Sequence, residues 1–340
     1  MTSQRYGDAE GAQHSDGTRA TRASPTEDRV LGAFIGLAVG DAVGTTLEFR
    51  QRDTYAHLND MIGGGPFNLR PGEWTDDTSM ALCLMDSLLA CADLDAADLM
   101  ERFLRWWRNG ENSVKGTCFD IGNTTALALL EFERRREPLA GNPNPYAGGN
   151  GSIMRLAPVV LRWWRDPSRA MDAARLQSRT THAASACVEG CAFLTEVLLD
   201  AIRTGKKSEA LKARRSSDRD IDGVSMGSWR DKRREEIRSS GYVVHTLEAA
   251  LWSVGRCDTF REAVLCAANL GDDADTVAAV AGQVAGAIWG LSAIPDAWLD
   301  RLAWRDDLLK RARALYDKGQ SSSSPCLDRT IAPDHWPGLS

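Results

Sequence analysis

The stretch Gly72-Glu73-Trp74-Thr75-Asp76-Asp77-Thr78 places two adjacent carboxylates and two hydroxyls at the expected first turn of an apolar helix. Much later in the chain, Gly271-Asp272-Asp273-Ala274-Asp275-Thr276 again sets Asp and Thr at the opening of a helix of small apolar residues. Two such openings facing each other would form a pocket whose polar atoms are all oxygens. The sequence therefore predicts a fold that brings two distant helix N-termini together.

These two motifs favour a site for hard cations. Carboxylates, hydroxyls and water suit Mg²⁺ or Mn²⁺, whereas Zn²⁺ is normally signalled by Cys and His at short spacing, and the eight cysteines here are scattered with no CxxC pair. A simpler interpretation stays open for either motif, because Thr and Asp are preferred N-caps and acids complement the helix dipole. Together, however, the motifs carry more acid than capping requires, and crowded like charges repel unless a cation or proton lies between them.

The composition of the 340-residue chain is that of a globular protein with a real core, since 43% of the residues are hydrophobic and 26% are charged. The net charge of −6 argues against a dedicated nucleic-acid binder, which would carry a basic excess. We expect no apolar run long enough to span a membrane, and residues 1–28 lack the apolar core of a secretory signal. The expected location is the cytoplasm, with reduced thiols.

Helical periodicity recurs along the chain and no alternating strand pattern interrupts it, so the predicted fold class is all-α. The first predicted helix covers about residues 28–43, with Thr26 as its N-cap. It carries glycines at four-residue intervals, at Gly32, Gly36, Gly40 and Gly44. Each glycine costs about 1 kcal/mol of helix propensity relative to Ala, so close packing of another helix on this bare face must compensate.

The predicted organisation is one domain over residues 28–318 between two polar ends. Residues 1–27 are predicted to be a disordered arm, and residues 319–340 a polar tail, because both are poor in large apolar side chains. Residues 206–238 are dense in Lys, Arg, Ser and Asp, and we interpret them as a solvated charged insertion, with a partner-binding patch as the alternative.

Several other polar residues lie near predicted helix starts. Asp41 and Glu48 follow the glycine-rich helix, although either could be an ordinary surface charge. The glycine-rich turn 148–155 feeds a helix and offers backbone N–H groups to a phosphate, which alone is a weak signal. His182 precedes a long helix and could be no more than a capping group.

Five separated motifs, in order, resemble those of the ADP-ribosylhydrolases, in particular the bacterial dinitrogenase reductase-activating glycohydrolase branch. The motifs are Gly40-Asp41-Ala42-Val43-Gly44, Trp74-Thr75-Asp76-Asp77-Thr78, Asp120-Ile121-Gly122-Asn123-Thr124, Gly149-Asn150-Gly151-Ser152 and Asp273-Ala274-Asp275-Thr276. The resemblance extends over residues 29–305 and implies a single compact all-α domain with a central cleft for two Mg²⁺ or Mn²⁺ ions.

The resemblance also implies roles for individual residues. The implied metal ligands are Thr75, Asp76, Asp77, Asp273, Asp275 and Thr276. Glu48 and Asp120 would flank the distal ribose, and we expect Asp120 to act as the acid/base and Glu48 as a positioning or gating group. The residues implied to hold the substrate or line its cleft are Asn150, Gly151, Ser152, His182 and Tyr242. Asp272 stands where Gly would be expected and adds a carboxylate beside the ligands.

The expected function is metal-dependent removal of ADP-ribose from arginine of a modified protein, which reverses an ADP-ribosyltransferase. One alternative keeps the chemistry on small compounds such as ADP-ribosyl-guanidine or O-acetyl-ADP-ribose. Another is a non-catalytic descendant that binds or packs without turnover, as in crystallins that resemble this family. The arm before Asp28 mixes Arg and acidic residues, so it could contact the matching transferase, the alternative being a solvated tail or targeting remnant.

Overall fold

The computed structural model describes residues 23–321, and this part of the chain forms α-helices, four short 3-10 turns and isolated bridges but no β-strand. The all-α prediction is confirmed. The helices are α1 (Pro25–Gly44), α2 (Asp76–Ala90), α3 (Ala96–Asn109), α4 (Asn123–Arg135), α5 (Ala157–Trp163), α6 (Pro167–Thr181), α7 (Ser185–Thr204), α8 (Lys207–Ala210), α9 (Arg219–Ser225), α10 (Val243–Arg256), α11 (Phe260–Ala268), α12 (Ala274–Trp289), α13 (Asp296–Arg301) and α14 (Arg305–Ser321).

The glycine face of α1 packs directly against another helix, as predicted, and the structure shows that this helix is α12. A Cβ added at Gly36 would lie 2.2 Å from the carbonyl oxygen of Gly282, and one at Gly40 would lie 2.1 Å from that of Ala278. The contact is reciprocal, because a Cβ at Gly282 would lie 2.0 Å from the Gly36 carbonyl oxygen. The two backbones therefore touch without intervening side chains, and both helices are almost wholly buried.

The direction of these two helices positions the site. A Cβ at Gly44, the last residue of α1, would lie 2.3 Å from the carbonyl oxygen of Ala274, the first residue of α12. A Cβ at Gly32, near the start of α1, would lie 2.4 Å from the carbonyl oxygen of Gly286, near the end of α12. The helices are thus antiparallel, and the residues after α1 meet the residues before α12.

The ends of the domain differ from the predicted boundaries. Helix α1 begins at Pro25, and its N-cap is Ser24, whose hydroxyl accepts a hydrogen bond from the Glu27 N–H (3.1 Å), so Thr26 is not the cap. Helix α14 continues to Ser321. The predicted arm before residue 23 and the predicted tail after residue 321 lie outside the described residues.

One helical stretch in the described part of the chain has the length and the apolar composition needed to cross a membrane. The expectation that no such stretch exists was therefore wrong. The most apolar 18-residue window within Pro25–Leu47 has a mean hydropathy of 1.7, but 94% of that window is buried inside the protein. Its apolar character follows from its position at the centre of the fold, where it contacts other helices on every side.

The charged segment 206–238 is more closely packed than predicted. Its apolar residues Ile221, Trp229 and Ile237 are buried against the core, while most of its charged side chains are exposed. The Arg52 guanidinium donates hydrogen bonds to the carbonyl oxygens of Arg234 and Ile237 (both 2.7 Å). These contacts fix the segment to the loop that follows Glu48.

Candidate active site

Asp41 holds the first turn of α2 in place, and it is fully buried rather than a surface charge. Its carboxylate accepts hydrogen bonds from the N–H and hydroxyl of Thr75 (2.9 Å each to Oδ1) and from those of Thr78 (3.0 and 2.6 Å to Oδ2). The N-cap of α2, Thr75, makes no capping bond with its own side chain. Asp41 therefore supplies from α1 the capping that α2 lacks, and it orients the acidic turn.

The two acidic helix openings meet at this point, as their chemistry predicts. The Thr75 hydroxyl lies 3.3 Å from Asp275 Oδ2, and the Thr276 hydroxyl donates to Asp77 Oδ1 (3.3 Å). Asp275 Oδ1 also accepts from the backbone N–H of Thr276 (2.7 Å). Each opening thus contacts the other through a hydroxyl and a carboxylate.

Glu48 belongs to the same cluster and is 3% exposed, so it is not a surface charge. Its Oε2 accepts a hydrogen bond from the N–H of Asp275 (3.3 Å). One oxygen each from Glu48, Asp273 and Asp275 lies within 4.8 Å of the others, an arrangement that can hold a metal ion. Helix packing brings Glu48 here, because it follows the end of α1 while both Asp residues open α12.

Burial of so many carboxyl groups raises their pKa values. Burial first, and then the charge of Asp275, raises the pKa of Asp41 and of Asp273 to about 7. The same causes raise the pKa of Asp76 and of Glu48 far above the usual range, and burial with the charge of Asp41 does so for Asp77. A group of acids in this condition binds protons or a cation at neutral pH.

The residues fit a hard divalent cation. Asp77 Oδ2 is buried and has no hydrogen-bond partner among residues 23–321, although a buried carboxylate oxygen normally has one. The donors around it are carboxylates and hydroxyls, which Mg²⁺ and Mn²⁺ prefer, and none is a thiolate or imidazole. A cation beside Asp77 would satisfy this oxygen and offset the repulsion among the acids.

The acidic cluster lies in a cleft with a volume of about 740 Å³. Asp120 lines it from the loop before α4, with its backbone in the left-handed region (φ 61°). Burial first, and then the charges of Asp76 and Asp275, raises the pKa of Asp120 to about 11. The predicted residues that line the cleft are Glu48, Asp76, Asp120, Asn150, Gly151, His182, Asp273, Asp275 and Thr276.

The glycine-rich loop forms a second part of the cleft. The Asn150 side-chain amide donates to Asp273 Oδ2 (2.8 Å) and to the Thr246 hydroxyl (2.9 Å), which ties this loop to the acidic cluster. A Cβ added at Gly151 would lie 2.7 Å from Cε1 of His182, so the imidazole fits closely under the loop. Burial and the charge of Arg155 lower the pKa of His182 to about 3, and the ring is neutral at neutral pH.

The sequence profile of the ADP-ribosylglycohydrolases matches residues 22–325. The chain belongs to the ADP-ribosylglycohydrolase family. Its relatives include an ADP-ribosylarginine hydrolase Tri1 of Pseudomonas putida, 48% identical over 88% of this chain and 82% of the relative. The ADP-ribosyl-[dinitrogen reductase] glycohydrolase of Rhodospirillum rubrum is 34% identical over 81% of this chain and 90% of that protein.

A solved ADP-ribosylglycohydrolase-related protein complex gives the same result for the fold. It contains a chain that is 40% identical to this one, with a TM-score of 0.76, over 87% of this chain and 99% of that chain. The resemblance inferred from the five motifs is therefore confirmed, and so is the all-α fold of this family.

The structure does not bring two of the predicted substrate residues to the cleft surface of this glycohydrolase. The Ser152 hydroxyl is buried and accepts a hydrogen bond from the Ser178 hydroxyl (2.9 Å). The Tyr242 hydroxyl donates to Asp220 Oδ2 (3.1 Å), and its ring packs beside Gly148. Both side chains support the glycine-rich loop from behind, and a direct contact with substrate stays a prediction. Two predicted ligands, Thr75 and Asp77, lie beneath the cleft surface.

The sequence did not predict the role of Asp41 in the cleft, and it predicted that of Asp272 only in part. Asp41 was interpreted as a possible surface charge. Nothing in the neighbouring sequence shows that it caps a helix whose bonded residues, Thr75 and Thr78, lie 34 and 37 positions later in the chain. Asp272 was expected to add a carboxylate beside the metal ligands; it lines the cleft with them, and its exposed side chain accepts a hydrogen bond from the Ser239 hydroxyl (3.3 Å). Its left-handed backbone (φ 58°) explains why Gly would suit this position.

Proposed function

We propose that this glycohydrolase cleaves the N-glycosidic bond between ADP-ribose and an arginine side chain of a modified protein. The observation that carries the proposal is a cleft in which Asp120 stands beside an acidic cluster that can hold a metal ion. A carboxyl group suits an arginine leaving group, because it can bind the guanidinium or exchange a proton with it. Two relatives at 48% and 46% identity are named ADP-ribosylarginine hydrolases, which supports this choice of substrate.

Two divalent cations, Mg²⁺ or Mn²⁺, are proposed as the cofactors. The residues that would hold them are Thr75, Asp76, Asp77, Asp273, Asp275 and Thr276. Bound there, the cations would act as Lewis acids that orient the ribose hydroxyls and lower the pKa of a bound water molecule. Support comes from Asp77 Oδ2, which has no hydrogen-bond partner in the described part of the chain, and from the grouped oxygens of Glu48, Asp273 and Asp275.

The proposed reaction adds water across the bond between the ribosyl carbon and the guanidine nitrogen. As that bond breaks, positive charge develops on the ribosyl carbon, and the surrounding carboxylates stabilise it. Asp120 exchanges the proton with the leaving nitrogen, because it lines the cleft beside the acidic cluster and burial raises its pKa. Glu48 positions the cluster through its contact with the Asp275 N–H. Asn150, Gly151 and neutral His182 form the surface on which ADP-ribose is proposed to bind.

Two other functions use parts of the same site. Hydrolysis of small ADP-ribosyl compounds, such as ADP-ribosyl-guanidine or O-acetyl-ADP-ribose, needs the same ribose and metal contacts. A non-catalytic descendant would have no chemical need for the buried, mutually repelling acids that this structure retains. The acidic cluster therefore favours an active enzyme.

The test is release of ADP-ribose from arginine-, serine- and O-acetyl-linked substrates, each with Mg²⁺, with Mn²⁺ and with EDTA. We expect turnover of the arginine linkage in the presence of either metal and none in EDTA. Preference for the O-acetyl linkage would support the small-compound function, and binding of ADP-ribose without any turnover would support the non-catalytic one. Full activity in EDTA contradicts the metal proposal.

Asp120→Asn is expected to keep ADP-ribose affinity within about twofold and to lower kcat by about 10²- to 10³-fold, because the amide keeps the shape and loses the proton-handling group. Calorimetric titration with ADP-ribose and single-turnover kinetics measure the two effects separately. An unchanged kcat would move the proton-transfer role to another group, with Glu48 as the next candidate.

The finer partner and location proposals rest on the sequence alone. We propose a cytoplasmic enzyme whose residues before Asp28 contact the matching ADP-ribosyltransferase through their mixed Arg and acidic charges. Binding of the full chain and of a chain starting at Ser24 to that transferase tests this. Equal affinity contradicts the contact, and hydrolysis of a small arginine-linked substrate serves as the activity control.

A further inference from the structure

Phe49 is an exposed aromatic residue at the mouth of the cleft. It is 67% exposed and lies directly after Glu48 on the cleft surface. Its backbone is left-handed (φ 60°), which is a genuine outlier for a bulky residue and is energetically unfavourable. The ring makes an aromatic contact with Phe67, but its large exposure and its strained backbone do not favour Phe at this position on grounds of folding alone.

The backbone of Phe49 is held in this conformation from both sides. The Phe49 N–H donates to the Asp272 carbonyl oxygen (2.8 Å), and the Asp272 N–H donates to the Arg50 carbonyl oxygen (2.8 Å). Asp272 and Asp120, which also line the cleft, are left-handed as well (φ 58° and 61°). Strain of this kind is tolerated at sites where a ligand uses the geometry.

Three aromatic rings connect the loops that carry the two candidate catalytic acids. The rings of Phe49 and Phe67 are 6.2 Å apart, and those of Phe67 and Phe119 are 5.3 Å apart. Phe119 immediately precedes Asp120, as Phe49 follows Glu48. We call Phe49, Phe67 and Phe119 the aromatic row. Lys115 Nζ lies 5.5 Å from the centre of the Phe119 ring and donates a hydrogen bond to the Phe67 carbonyl oxygen, so one cation already lies beside this row.

We propose that Phe49 is a specificity-determining residue whose ring stacks on the guanidinium of the arginine-linked substrate at the mouth of the cleft. The inference rests on the proposed function and names the contact for its leaving group. A guanidinium is planar and weakly hydrated, so one face can lie on an aromatic ring while its N–H groups donate to carboxylates. Asp120 and Glu48 supply carboxyl oxygens that can accept such hydrogen bonds on the same surface. The contact favours an arginine linkage over an ester or a serine linkage, whose leaving groups carry no cation.

The experiment uses the full chain with Mg²⁺ and compares wild type with Phe49→Leu, Phe49→Tyr and Phe49→Asn. The substrate is ADP-ribosyl-agmatine. The Kd for ADP-ribose alone measures how tightly each variant binds the ADP-ribose group without the guanidinium. Leu127→Ala is the matched control, because Leu127 is equally exposed (65%) and is not on the cleft surface. Asn tolerates a left-handed backbone and has no aromatic ring. The melting temperature of the Phe49→Asn variant therefore shows whether the fold needs the aromatic side chain.

We expect Phe49→Leu and Phe49→Asn to raise KM for ADP-ribosyl-agmatine about five- to thirtyfold, the range of a partly desolvated cation–π contact, with kcat little changed. Phe49→Tyr should restore the wild-type KM, and Kd for ADP-ribose should stay within about twofold in every variant. A wild-type KM in Phe49→Leu overturns the proposal. So does an equal loss of ADP-ribose affinity, since the residue would then act by placing Glu48. If wild type itself fails to cleave ADP-ribosyl-agmatine, the proposed function fails instead.

Discussion

The two ends of the α1 and α12 pair have opposite chemistry. Along most of their length the helices meet through glycine and alanine, and a Cβ at Gly286 would lie 1.9 Å from the Gly32 carbonyl oxygen. At the other end, where Gly44 meets Asp275, the same pair carries Asp41, Glu48, Asp273 and Asp275. One region is a contact between bare backbones, and the other is a group of carboxyl groups with raised pKa values.

The contrast explains how the acids can be held together. Carboxylates that repel each other would separate if the helices that carry them were flexible. A flexible site would also not keep a buried oxygen such as Asp77 Oδ2, which has no hydrogen-bond partner between residues 23 and 321. Two backbones in direct contact leave little room to shift, because protein interiors are close-packed. The glycine contact thus stabilises the positions of the acids, and the acids make the site attractive to a cation. Each region can be altered separately.

The largest expected effect comes from the acidic region. Asp275→Ala, and likewise Asp76→Ala, should lower metal-dependent hydrolysis by about 10³-fold or more, since loss of a ligand removes several kcal/mol of charge stabilisation. The circular dichroism spectrum should stay helical, because removing one acid relieves repulsion. Initial rates in Mg²⁺ and in EDTA measure the effect.

Asp272→Gly is the matched control for those variants. It removes a neighbouring carboxylate that is exposed and directed at Ser239, and Gly suits the left-handed backbone there. Activity within about threefold of wild type is expected. If Asp272→Gly lost as much activity as Asp275→Ala, the acids of the two helix openings would not be the ones that matter.

Breaking the glycine region should cost stability before it costs chemistry. Gly40→Val places a branched side chain where even a Cβ would lie 2.1 Å from the Ala278 carbonyl oxygen, so the helices must separate. We expect a loss of about 3 kcal/mol or more in the free energy of unfolding, at the upper end of overpacking effects, because the clash is with backbone. Urea denaturation measures it.

Gly223→Ala tests whether any helical glycine would behave in this way. Gly223 lies in α9, and a Cβ there would contact nothing within 4 Å. Replacement should therefore stabilise the protein by about 0.5–1 kcal/mol through lower chain entropy. If Gly223→Ala lost as much stability as Gly40→Val, a side chain at any helical glycine would be harmful, and the contact with α12 would not explain the cost at Gly40.

The sequence predicted the contact of α1 with another helix, because four-residue spacing of glycine on one face has few other uses. It also predicted the meeting of the two Asp/Thr openings, since their repeated chemistry is visible in the chain. It could not show that Asp41 caps α2 or that Glu48 is buried, because both depend on which helix ends are neighbours in space. The packing of segment 206–238 was missed for a related reason: a few buried residues such as Trp229 anchor it among many exposed charges.

A third, smaller effect should appear in the pH dependence of stability. The pKa values of Asp41 and Asp273 are raised from 3.8 to about 7 in the folded protein. Their contribution to stability is therefore fully present below about pH 4 and is lost as pH rises through about 7. Cation binding replaces the lost protons, so the rise in melting temperature on adding Mg²⁺ should be larger at pH 8 than at pH 5.

Differential scanning fluorimetry in EDTA and in Mg²⁺ at both pH values checks this coupling. Asp275→Ala should show a reduced Mg²⁺ effect at pH 8, because it lacks one of the proposed ligands. An equal rise in melting temperature at the two pH values would mean that the acidic region does not exchange protons for the cation.

The smallest effect is expected at Tyr242, which belongs to neither region. Tyr242→Phe removes one hydroxyl that donates to Asp220 on an exposed surface, and a hydrogen bond of this kind contributes about 0.5–1 kcal/mol. The ring remains and continues to support the glycine-rich loop. It packs so closely against Gly148 that a Cβ added there would lie 2.7 Å from Cε2 of the ring. KM for an arginine-linked substrate should therefore stay within about twofold, whereas Tyr242→Ala should raise it by loosening that loop. A tenfold higher KM in Tyr242→Phe would instead show that the hydroxyl leaves Asp220 and contacts the substrate, as the family resemblance implies. The cleft would then be shaped by a residue outside both the acidic and the glycine region.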